Sequence, residues 1–131
     1  MIIGLATKES EAGPPPAPEA YVAMQKYNED LVKAGVLLAA EGLTPSSKGT
    51  RVKFSGEKRT VIDGPFAETK ELVAGFTILQ VKSKEEAIEW VKRAPNVSAN
   101  GEGMVEIRKL MDIEDFGEGF TPNEEIAKVK Y

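Results

Sequence analysis

Apolar residues recur along the chain in three spacings, and each spacing predicts a different element. Met1 to Ala6 is a short apolar run that ends in charges, and it reads as a first strand. Glu11 to Pro18 (EAGPPPAP) is proline-rich and reads as a loop. From Pro18 the spacing becomes helical: Ala20, Met24, Tyr27, Leu31 and Ala34 fall on one face, and Gly35 supplies a C-terminal stop. Val36 to Ala40 is unbroken and apolar, as in a strand covered on both sides. Leu43 to Thr50 has loop composition. Arg51–Phe54 and Arg59–Ile62 flank the turn Ser55-Gly56-Glu57-Lys58, which predicts a β-hairpin. Val73 to Val81 is the longest strand-like run. Ser83 with Glu86 forms the signature of a capping box that opens a helix carrying Ala87, Val91 and Ala94 on one face, ended by Pro95. Met104 to Met111 reads as a last strand. Thr121-Pro122-Asn123-Glu124 is a second capping box with proline at the first helical position, predicting a short terminal helix.

The resulting order is β-α-β, a hairpin, then β-α-β and a helix. Without the hairpin this is the split βαβ of an α+β, ferredoxin-like fold, an antiparallel sheet with two helices on one face. The other face of such a sheet needs a cover. In a chain this small a second copy is the expected one, which predicts a homodimer of the dimeric α/β-barrel type joined through the open sheet face. Residues 1–131 are read as a single domain, with 113–131 a C-terminal extension bearing the short helix.

Composition narrows the chemistry. The 131 residues contain no cysteine and no histidine. Disulfides, thiolate nucleophiles and cysteine metal sites are excluded, and so is the commonest base near neutral pH. Acid–base work would fall to Asp, Glu, Lys or Tyr, without metal or cofactor. Seventeen cationic against twenty-one anionic residues give a net charge of −4, which disfavours nucleic acid and anionic membranes as partners. No run is long enough to span a membrane and the N-terminus lacks the pattern of a signal peptide, so the cytoplasm is expected.

The candidate chemistry centres on VIDGPFAETKE, residues 61–71. Asp63 has two readings. In the structural one its carboxylate accepts hydrogen bonds within a turn in which Gly64 relieves steric limits, Pro65 fixes φ and Phe66 returns to the core as an anchor. In the functional one Asp63 stands at a strand end over a cleft and trades a proton. Glu68 and Lys70 share a side if the segment is extended, so Lys70 would hold a ligand carboxylate while Glu68 orients it. Glu41, at the end of the apolar run, is a further ligand-binding candidate. Arg51 and Arg59 decorate the hairpin. Met24 and Tyr27 are read as core, and Trp90 as partly buried at a subunit contact. Asp112, Glu114 and Asp115 lack the glycine and terminal glutamate of a calcium loop. The run 74–81 lacks the aromatic set of an RNA-recognition strand, and GPFAETKE lacks the second glycine of a phosphate loop.

The block DGPFAETKE, set between KAGVLLAAEGLTPSS and SKEEAIEWVKRAPN, resembles the DGPF branch of the YciI-like (YCII-related) family over about Met24 to Gly117. The resemblance implies a ferredoxin-like dimeric barrel, a small ligand in a cleft near the DGPF turn, and an association with transcription (sigma) factors; it implies no reaction. A histidine–aspartate site, as YciI itself resembles, is ruled out by the absence of histidine. DGPF relatives often carry His where this chain has Thr44 and Cys where it has Ala94. Two functions follow as expectations: a binding or regulatory module for an organic acid or aromatic metabolite, or a cofactor-free enzyme with Asp63 as acid/base.

Overall fold

A computed structural model describes residues 1–13, 16–98 and 101–117. The expected helix at Thr121 lies outside these residues. The described elements are strand β1 (Ile2–Leu5), a short helix α1 (Lys8–Ala12), helix α2 (Pro18–Lys33), strands β2 (Leu37–Gly42), β3 (Thr50–Ser55), β4 (Lys58–Asp63) and β5 (Val73–Leu79), helix α3 (Lys84–Lys92) and strand β6 (Val105–Ile107). Four strands form one sheet in the order β2-β5-β1-β6, with every neighbouring pair antiparallel. This mixed α+β arrangement is compatible with a ferredoxin-like fold. β3 and β4 pair with each other as a separate two-stranded sheet, the inserted hairpin expected from the sequence.

Local signals account for most boundaries. α2 starts with Pro18 at its first position and gives way to Gly35, whose φ of 74° suits a residue without a side chain. The Ser83 side chain accepts from the Glu86 amide at 3.2 Å and caps α3. The Glu86 carboxylate takes the Lys82 amide at 2.9 Å instead of the Ser83 amide, so the capping box is displaced by one residue.

α1 is a departure. The sequence predicts no element between Ala6 and Glu11 and reads Glu11 onward as a loop, yet Lys8–Ala12 forms a helical turn. Thr7 and Ser10 cap each other reciprocally, the Ser10 amide donating to Thr7 Oγ1 at 3.1 Å and the Thr7 amide to Ser10 Oγ at 2.8 Å. Serine stands here in the place of the usual Glu or Gln, which hid the signal. β6 is also shorter than the expected Met104–Met111. Beyond it Lys109 turns toward Asp112 and Asp115, at 3.3 and 2.9 Å, and a 3₁₀ turn over Ile113–Phe116 ends the extended run.

Directly paired residues of an antiparallel sheet point to the same side. One face therefore carries Ile2, Thr77 and Ala40 in a row, with Gly4, Gly75 and Gly42 in the next. The alternate face carries Ile3, Ala39, Glu41, Phe76 and Ile78. Leu31, Val36, Ile78 and Ala87 are the buried centre of the chain, and α2 is tied to α3 by the Tyr27 hydroxyl, which donates to the Trp90 carbonyl at 2.7 Å.

Candidate functional site

Two places gather the residues singled out by the sequence: the DGPF turn, and a cleft between the helices and the sheet.

The turn is built by side chains far apart in sequence. The Gly64 amide donates to Gly49 O at 3.0 Å, and the Phe66 amide donates to Ser46 Oγ at 3.1 Å. Ser46 in turn donates to Glu11 twice, through its amide at 2.9 Å to Oε2 and through its hydroxyl to Oε1. These two hydrogen bonds hold the Glu11 carboxyl below the usual glutamate range, the hydroxyl contributing most. The chain from α1 through the loop after β2 to the DGPF turn is thus one clasp. A Cβ on Gly64 would lie 1.8 Å from the Ser46 carbonyl oxygen, so only glycine fits. The Gly64–Pro65 bond is cis.

Asp63 is exposed at the end of β4, where its Oδ1 accepts from the Thr50 hydroxyl at 3.0 Å across the hairpin. Phe66 does not return to the core as expected: it is half-buried beneath the Arg51 guanidinium, 3.9 Å above its ring centroid. The charge of Arg51 and the face of the ring attract each other, which gives the aromatic side chain a partner at the surface. Glu68 is exposed and Lys70 lies in a 3₁₀ turn over Thr69–Glu71. The two-residue alternation that put Glu68 and Lys70 on one side requires an extended segment and does not apply.

The cleft has a volume of about 470 Å³, within the size range of small-molecule sites. Its floor is the sheet around Gly4, Gly42 and Gly75, with Ala40 and Thr77 beside them; Met24 and Tyr27 of α2, and Val91 and Ala94 at the end of α3, form the walls. Glu41, Ala74 and Phe76, from alternate positions of the strands, complete much of the lining. Neither Asp63 nor Glu68 is among the lining residues, whereas Glu41 is. Met24 and Tyr27, read as core, are half-buried and face this space. Burial pushes the Tyr27 phenol up from its ordinary value, against the opposing pull of Arg93, and keeps it protonated as the donor to Trp90.

The glycines are informative because they differ. At Gly75 a Cβ would stand 2.9 Å from the Glu41 carbonyl oxygen, so close strand approach requires glycine there. At Gly4 the nearest atom would be 3.6 Å away, an ordinary contact, and at Gly42 nothing lies within 4 Å. Neither has positive φ. Backbone geometry and packing leave both positions open to alanine, and both line the cleft as bare backbone. A glycine inside a strand-like run was the available signal; the sequence reading passed over all three, together with Asn28 and Thr77, which also line the cleft.

Among the described residues no cluster of acidic side chains is arranged to hold a metal ion, and no helix is long and apolar enough to cross a membrane. The family model for the YCII-related domain matches residues 1–114. An uncharacterized protein of Rhizobium meliloti (strain 1021) is 34% identical over 79 residues, covering 60% of this chain and 63% of that protein's own length. With the mixed α+β sheet and its inserted hairpin already in place, the match across nearly all of the described residues settles the relationship: the chain belongs to the YCII-related family.

Proposed function

We propose that the protein binds a small, flat, mainly apolar metabolite in the cleft between α2, α3 and the sheet, and that the DGPF turn is the clasp that holds the hairpin and α1 to the body. Within the YCII-related family the block Asp63–Glu71 supports placing it in the DGPF branch. The observation that carries the binding reading is the floor of the cleft: Gly4 and Gly42 omit side chains that the backbone and packing would accept, within a space of about 470 Å³ walled by apolar groups. A planar ring lies well on such a surface, where it covers peptide planes and meets Met24 and Tyr27 from above. A second copy of the chain is proposed to cover the face of the sheet that the helices leave open.

A thermal-shift screen with flat aromatic compounds near neutral pH tests the reading. A ligand at a hundred times its dissociation constant stabilises by about 2.7 kcal/mol, a rise of several degrees. The shift should persist in Asp63→Asn, whose side chain lies outside the lining. A panel that moves the melting temperature nowhere, or binding that disappears in Asp63→Asn with the fold intact, would return the DGPF turn to the centre of the function.

A further inference from the structure

The hairpin β3–β4 is a patterned surface that its own chain leaves uncovered. All twelve of its strand residues are exposed. Directly paired residues share a side, so Val52 with Val61 and Phe54 with Arg59 line one face, while Arg51 with Ile62 and Lys53 with Thr60 line the other. Phe54 is 68% exposed and Val61 66%. Residues 50–63 carry four cations, Arg51, Lys53, Lys58 and Arg59, against two anions, in a chain whose net charge is −4. None of the four forms an ion pair among the described residues.

A second surface of the same chain has the opposite charge. Within residues 104–116, Met104, Val105, Leu110, Met111 and Ile113 are exposed. The segment carries four anions against two cations. Both cations are already paired, Arg108 with Glu106 and Lys109 with Asp112 and Asp115. Two exposed apolar surfaces of opposite charge on one chain complement each other across two copies.

We propose that the hairpin of one copy docks its Val52–Phe54–Val61 face on residues 104–116 of a second copy, an inference that rests on the second copy proposed above. Two-fold symmetry makes the contact occur twice, each hairpin reaching the other chain. Stable interfaces engage roughly 20–30 residues a side; twelve strand residues and the thirteen of segment 104–116 reach that scale. A lone hairpin with an uncovered apolar row is marginal in water and invites aggregation. Docking covers the row, and the cations of the arm steer it to the acidic segment of the partner and away from a like-charged arm.

A charge swap tests the contact. One variant of the full chain carries Lys53→Glu with Arg59→Glu, the other Glu106→Lys with Glu114→Lys. In either variant alone, arm and segment have like charge at both contacts. Sedimentation equilibrium at low ionic strength should show each dimerising at least about ten-fold more weakly than the wild-type chain, the scale of several modest charge interactions. In an equimolar mixture each arm meets a segment of opposite charge, and dimers should return to near the wild-type strength. Val52→Thr with Val61→Thr, which keeps the β-branched shape, should weaken the dimer while the monomer melts unchanged. If the two charge variants dimerise as the wild-type chain does, or if mixing them restores nothing, the arm contact is overturned and the dimer through the open sheet face stands. If the wild-type chain is a monomer, the proposed second copy falls and the arm contact with it.

Discussion

At Gly64 the smallest side chain of all cannot be added. A methyl group there would sit 1.8 Å from a backbone oxygen of Ser46, a carbonyl held in the turn by the Gly49 amide. Overpacking of this kind against backbone is relieved only by moving the loop. Gly64→Ala should therefore cost at least about 3 kcal/mol, or abolish the clasp outright, as read by chemical denaturation; a change below 1 kcal/mol would show that the clasp yields freely. Glu11 gives the same clasp a pH dependence. Its folded carboxyl is held below the ordinary value of 4.5 by the Ser46 hydroxyl and amide. A group whose folded pKa is depressed contributes stability above its unfolded pKa and loses it as pH falls through the folded one. Glu11→Gln should accordingly melt below the wild-type protein at pH 7, with the gap closing as the pH is taken well under 4.5. A gap that stays constant with pH would detach the clasp from the ionisation of Glu11.

At the scale of elements, β1, β2 and β5 together make something that none of them carries alone. Pairing aligns Gly4, Gly75 and Gly42 across three strands. Glycine inside a strand is usually a cost, because the unfolded chain has more freedom to lose and no side chain packs in return. Gly4→Ala and Gly42→Ala are thus expected to leave the fold equal or more stable, by about 0.5–1 kcal/mol, while weakening ligand binding by filling the floor. Melting and titration on the same samples check both halves. Loss of stability would mean that the glycines serve packing, and unaltered affinity would mean that the floor is not where the ligand sits. Legibility also varied by element. α2, α3 and the hairpin were readable because period, cap and turn agree over a dozen residues or so. α1 was not, since five residues hold too little periodicity and its cap uses Ser10 in an uncommon place.

The whole molecule is small, acidic and built around a sheet whose two faces are both largely apolar. The helices cover one face; the proposed second copy takes the other. Sedimentation at micromolar concentration should then give about twice the 14.2 kDa chain mass, and a monomer would rule the proposed dimer out. The hairpin stands apart from that sheet, with all its strand residues exposed, including Val52, Phe54 and Val61. A two-stranded hairpin alone is marginal in water. Here its base is closed by the Thr50–Asp63 and Gly49–Gly64 hydrogen bonds and tied to α1 through Phe66, Ser46 and Glu11, and Arg59 stacks on Phe54 at 4.4 Å near its tip.

By itself the sequence determined the order and kind of the larger elements, the antiparallel α+β class and the family. These follow from local information: apolar spacing, Ser83, Pro18 and Gly35 at helix ends, and a continuous block around DGPF. The tertiary structure decided what those elements enclose. Met24 and Tyr27 have the spacing of core residues whether they meet a side chain or an open cleft, since periodicity reports which face is apolar and not what lies opposite. The glycine floor depends on the register between strands more than thirty residues apart, and the Glu11–Ser46–Phe66 clasp on contacts spanning up to 35 residues. Asp63 shows the difference most plainly. Its neighbours have the composition of a tight turn, but only the position of Thr50 across the hairpin determined where its carboxylate is held.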